Sequence, residues 1–208
     1  MPFPTVEEFR AALLGEQLPD LVRQHLINDE VPFAFRSRPA HYASLKQHVA
    51  EGLGVSANDI LVIGSAKIGF SLDPDSYFRS FSTASDIDVL VTNAHWFDTL
   101  WLLLLTWHYQ RWHQLEGIDW KTAQYRMTGI YQGWISPDRA RTLDTPGGRR
   151  GQLRDMSTQW FDTFRGLSRF PEFARREVSG RLYRSQQHAL LYQMHSLRRI
   201  RAAIAPKS

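Results

Sequence analysis

The sequence predicts an α/β (α+β) fold in which a small mixed sheet is packed with several helices. Three observations carry this. Two short apolar runs, "ILVI" at 60–63 and "DIDVLV" at 86–91, have the length and β-branched content of buried strands. A later stretch, "REVSGRLYRS" at 176–185, alternates with the period of a strand. Longer segments with helical spacing surround them. At 208 residues the chain suits one domain with helical elements at both ends. It is 43% hydrophobic and 12% aromatic, which is enough to bury a sizeable core.

Taken in order, residues 5–28 read as one helix opened by a capping box, Thr5 followed three positions later by Glu8. A loop crosses 29–38. Residues 39–54 form a second helix closing on "GLG", where glycine accepts the left-handed conformation of a C-terminal cap. The strand 60–63 follows, then "AKIGFSL" and a polar loop, "DPDSYFRSFSTAS". After the second strand, Thr92 or Asn93 caps a very apolar helix beginning near Ala94. Helix is expected over about 119–132, a flexible loop at "TPGGRRG", an amphipathic helix at 156–170, the strand at 176–185 and a final helix to Ile204. In that last helix Leu190, Met194, Leu197 and Arg201 recur at helical spacing.

There is no cysteine, which excludes disulfides, cysteine nucleophiles and thiolate metal sites. "MPFPTVEEFRAALL" lacks a basic region followed by a long apolar core, so no secretory leader is expected. The longest apolar run, "LWLLLL", is too short to span a bilayer, and a cytoplasmic location is expected. The net charge is +4 and the pI about 9.6, with arginines concentrated after Arg139. That bias fits either a polyanionic partner, RNA first, or a solvated basic face.

The chemistry centres on the two apolar strands. Residues two apart on a strand share a face, so Asp86 and Asp88 project together. Paired carboxylates repel and are costly to bury, and the usual compensation is a hard divalent cation such as Mg²⁺ or Mn²⁺ shared with substrate phosphates. Upstream, Gly64 lets the backbone pass close to a bound group, and Ser65 supplies a hydroxyl. With "VIGS" and "SDIDVLV" in this order, residues 58–93 resemble the nucleotidyltransferase superfamily of polymerase beta type. Ser85, before the first acid, is also common in that family.

The resemblance implies a Mg²⁺-dependent enzyme that moves a nucleotide from an NTP to an acceptor hydroxyl. Asp86 and Asp88 would be its metal ligands. Gly64, Ser65, Lys67 and Ser85 would be its nucleotide contacts, and Arg181 is a further candidate on the chemistry of its guanidinium. Lys67 is read first as an ordinary solvent-exposed lysine and second as a phosphate contact. Arg181, on the late strand with Ser179 and Tyr183, either pairs with the triphosphate or makes ordinary salt bridges. Small solitary proteins of this kind act on tRNA or other RNA, on a protein hydroxyl, or within toxin–antitoxin and anti-phage systems. An antibiotic-modifying transferase is a further variant.

Two features depart from the family pattern. The segment between Ser65 and Asp86 is long, as if an insertion, "SLDPDSYFRSFSTA", folds over the site. No later strand carries an obvious third acid to orient or deprotonate the attacking hydroxyl. Glu177 is the best-placed candidate and Asp119 the runner-up, although Asp119 is well explained as a helix cap and Glu177 as an arginine's partner. The missing acid supports a competing reading, a catalytically degenerate member that binds nucleotide, RNA or a partner protein. His108 and His113, five apart, do not share a helix face, and His188 with His195 lack acidic neighbours, so neither pair is expected to hold metal. The seven tryptophans offer base-stacking surfaces, but core packing is the simpler account.

Overall fold

The computed structural model describes residues 4–111, 128–140, 151–173 and 176–205. A four-stranded mixed sheet lies at the centre, with helices on both faces. Its strands are β1 (Ile60–Ile63), β2 (Ile87–Thr92), β3 (Trp134–Ile135) and β4 (Val178–Tyr183), in the spatial order β1-β2-β4-β3. β2 runs antiparallel to β1 and parallel to β4, and β3 closes the far edge antiparallel to β4. Because β2 and β4 are parallel, both begin at the end of the sheet where β1 finishes.

The helices are α1 (Val6–Gly15), α2 (Leu18–His25), α3 (Pro39–Leu53), the single turn α4 (Ser65–Ile68), α5 (Ala94–Arg111), α6 (Gln152–Leu167) and α7 (Gln186–Ile204). The capping box is formed: Glu8 N–H donates to Thr5 Oγ1, and the Glu8 carboxylate accepts from Thr5 N–H. The single helix expected over 5–28 is broken, because Glu16 turns extended after Gly15 and a new helix starts with Pro19 in its first turn. Proline fits a first turn, where no intrahelical N–H is needed, and disrupts a helix interior. α3 ends as expected, with Gly54 left-handed at φ 66°. Asn93 caps α5, its side chain accepting from Trp96 N–H. β3, only two residues long, has no counterpart in the sequence reading. Of the helix expected over 119–132, residues 128–131 are helical. Asp119, His113, Trp112, Trp120 and most of "TPGGRRG" lie outside the described residues.

Alternation sorts the strand side chains between two cores. Ile60, Val62, Ile87, Val89, Val91, Val178 and Leu182 pack against α3, α5 and α6. Trp96, Trp107 and Trp160 are buried here as core, with the Trp96 and Trp160 rings 6.1 Å apart. On the opposite face Leu61, Ile63, Leu90 and Tyr183 are covered from α7 by Ala189. α7 also carries Leu190, Met194, Leu197 and Ile200 into a further core with Phe9, Leu13, Leu21 and Val22 of α1 and α2. Arg201 ties these elements together, its guanidinium donating to the carbonyls of Leu13 and Glu16. No helix among the described residues is long and apolar enough to cross a membrane.

Candidate active site at the end of the sheet

Asp88 is the exposed position in the otherwise buried β2. It pairs in register with Ile63 on one side and Ser179 on the other. The chain leaves β1 at Gly64 with φ 66° and ψ −149°, a combination open essentially to glycine alone. That bend brings the turn so close to Asp88 that a Cβ on Gly64 would lie 3.1 Å from Asp88 Oδ2. Ser179 Oγ donates to Asp88 Oδ1 at 3.1 Å. Asp86 is exposed just before β2 starts.

The Asp88 carboxyl is pushed above its ordinary pKa, chiefly by the protein mass around it and further by the Asp86 charge, while the Ser179 hydroxyl and Arg181 pull it back. Solvent reaches the group, but the walls of the depression displace much of the bulk water that would stabilise its charge. Two acids that repel in this way form a hard oxygen donor set. It suits Mg²⁺ or Mn²⁺, with remaining positions left for water or phosphate oxygens.

Asp88, Gly64 and Ser65 open onto a cleft of about 880 Å³. One wall is the segment after α4, with Ser71, Asp73 and Tyr77, so part of the long insertion does border the site. Backbone bonds fold that segment on itself: Ser71 N–H donates to Arg79 O, and Phe81 N–H to Gly69 O. The opposite wall is α7, which presents Tyr192, Gln193, Ser196 and Arg199.

Other residues expected at the site lie elsewhere. The Lys67 amine is buried and donates to Asn28 O at 2.9 Å, Asn28 Oδ1 at 2.6 Å and Glu30 O at 2.7 Å. Burial pushes its pKa down to about 8, with Glu30 and Asp29 opposing the shift. All three of its protons are committed to the loop before α3, so Lys67 braces α4 and does not meet a phosphate. Arg181 shares Asp88's side of the sheet but is wedged against rings, 4.6 Å from the Trp134 centroid and 5.1 Å from that of Tyr192. It acts on Asp88 as a nearby positive charge. Next to it the fully buried Tyr183 hydroxyl has no partner in hydrogen-bonding geometry; its link to Arg181 is electrostatic. Ser85 builds the turn before β2, accepting from Ser82 N–H through its hydroxyl and from Arg176 through its carbonyl.

Glu177 is exposed at the start of β4, and its carbonyl accepts from Ile87 N–H. It lines a second cleft of about 730 Å³ with Asp138, Phe161, Arg165 and Ser179. Among the described residues no three acidic or histidine side chains come together to hold a metal, so Glu177 does not complete a triad with Asp86 and Asp88. The strand position beside Asp88, from which a third acid would converge, is Ser179. His188 is hydrogen-bonded through Nδ1 to Ser185 Oγ at 2.7 Å, beside the start of α7.

Arg199 and Gln193 are cleft residues that sequence reasoning missed. The sequence reading of this helix singled out Leu190, Met194, Leu197 and Arg201, and nothing local tells that a neighbouring stripe, 192, 196 and 199, is the one that faces Asp88. No protein-family model matches the sequence, and neither the curated proteins nor the solved structures contain a significant match. The functional reading therefore rests on the chain's own residues.

Proposed function

We propose that this protein is a Mg²⁺-dependent nucleotidyltransferase that moves a nucleotide from an NTP to an acceptor hydroxyl. One observation carries the reading: the Gly64–Ser65 turn packs against Asp88 at the mouth of a cleft, with Asp86 exposed beside it. Asp86 and Asp88 would hold the metal, which supplies positive charge to the phosphates as negative charge shifts onto the leaving group. Ser179 fixes the Asp88 carboxylate in one orientation. Gly64 keeps the approach to it open. The acceptor oxygen would form a bond to the α-phosphorus as the bond to pyrophosphate breaks, and the hydroxyl proton would leave to water. The acceptor is RNA, tRNA among it, or a protein hydroxyl.

A second reading has its own support. Ser179 occupies the place beside Asp88 where a third acid would stand, which favours a nucleotide-binding protein without catalysis. Calorimetry with NTPs, with and without Mg²⁺, tests the metal site. We expect Mg²⁺ to raise NTP affinity in the wild type and Asp86→Ala or Asp88→Ala to abolish that gain. Identical binding with and without metal sinks the proposal. Incubation with labelled NTPs and total RNA or cell protein separates the two readings: transfer of label marks the enzyme, and metal-dependent binding without transfer marks the degenerate form.

A further inference from the structure

We propose that the α7 wall of the cleft grips the NTP, with Arg199 as the ligand of its terminal phosphates and Gln193 as the contact for its nucleoside end. This rests on the nucleotidyltransferase reading and names residues that the family resemblance did not supply. A triphosphate entering this cleft meets acids, Asp88 and Asp73, so it needs a cation of the protein's own besides any metal. Lys67 and Arg181 are not available, the first held by three oxygens and the second stacked on two rings. Arg199 is the cation that lines the cleft among the described residues. It is exposed, and it has no hydrogen bond or ion pair with any described residue. Its planar fork matches two phosphate oxygens at once.

Gln193 is the second polar group that α7 offers to a ligand in this cleft. It lines the same cleft, is only 9% exposed, and its amide makes no hydrogen bond with the described residues. The Gln193 amide still meets solvent where it faces the cleft, so it is open to a polar group of a ligand there. Gln193 and Arg199 are six residues apart, roughly 9 Å along the helix axis. One is buried and the other exposed, so together they suit an elongated ligand with a polar inner end and an anionic outer end. A nucleoside carrying a phosphate chain has that form; a lone phosphate does not.

The test is calorimetry with the full chain, using the best-bound of the four NTPs, its monophosphate, and tripolyphosphate, all with Mg²⁺. Arg199→Ala should weaken NTP and tripolyphosphate binding by roughly tenfold to a hundredfold and change monophosphate affinity less than about twofold. Arg199→Lys should recover part of the loss, because it keeps the charge without the fork. Gln193→Leu should weaken the NTP and the monophosphate alike and leave tripolyphosphate unchanged. Thermal melts of each variant confirm folding. If the wild type binds NTP and Arg199→Ala binds it equally well, this inference is overturned while the nucleotidyltransferase reading stands. If Arg199→Ala weakens NTP and monophosphate equally, the phosphate assignment is wrong. A wild type that binds no NTP with or without Mg²⁺ overturns both.

Discussion

Asp88 carries an electrostatic burden that the fold only partly relieves. A carboxyl whose pKa is higher folded than unfolded binds its proton more tightly in the native state. Stability is therefore greatest while the group is protonated. It falls as pH rises from the unfolded value near about 4 through the folded one, and it stays lower at neutrality. Asp88→Asn keeps the shape and the acceptor for Ser179 while removing the charge. We expect it to melt above the wild type at pH 7, with the difference shrinking toward pH 4, and Mg²⁺ to narrow the gap at pH 7 by stabilising the wild type alone. Melting curves that coincide at pH 7 would show that solvent hydrates the carboxylate fully. The Asp-x-Asp pair and the Gly-Ser turn were legible in the sequence because their meaning is local: strand period sets one, and a forced bend sets the other. Lys67 was not legible in the same way. Its partners lie 39 and 37 residues earlier, and no pattern near "SAKI" shows that Asn28 and Glu30 will surround its amine.

Among the elements, the bend from β1 into α4 joins fold and site most directly. Gly64→Ala meets two obstacles, a backbone conformation that an L side chain rarely adopts and a Cβ placed 3.1 Å from Asp88 Oδ2. The strain should cost about 1–3 kcal/mol. Urea denaturation would measure that loss, and calorimetry should show the Mg²⁺-dependent gain in NTP affinity falling with it. A variant of wild-type stability and affinity would mean that the turn is not held as described. Elements with strong local signals were readable: the Thr5 box, the Gly54 cap, the β1 and β2 runs, and Val178 with Leu182 facing the core in β4. The break between α1 and α2 was readable from Pro19 in principle, but the apolar spacing runs on through it and masks the interruption. β3 could not be read at all. Two residues set no period, and Trp134 and Ile135 become a strand only because β4 offers them an edge.

For the molecule as a whole, the arginine-rich later half is less free than its charge count suggests. Arg184 pairs with Asp98 at 2.8 Å, Arg176 and Arg201 donate to backbone carbonyls, and Arg181 lies against aromatic rings. Hydrogen-bonded arginines keep their charge, so an RNA acceptor remains the expectation that composition favours. If it is correct, affinity for a tRNA pool should fall steeply between about 50 and 200 mM salt, because each neutralised phosphate releases counterions. Filter binding measures the slope, and a flat response or no binding at low salt would move the acceptor to a protein or a small molecule. The clamp of Arg201 onto Leu13 and Glu16 has a consequence for motion. The helix that walls the cleft on one face holds α1 and α2 on another, through contacts that span nearly the whole chain. Fraying of the N-terminal pair strips apolar cover from α7, so such local opening and the loss of the cleft's rigid wall belong to one cooperative unit. The N-terminal helices, none of whose residues lines the cleft, thus brace the helix that forms its far wall.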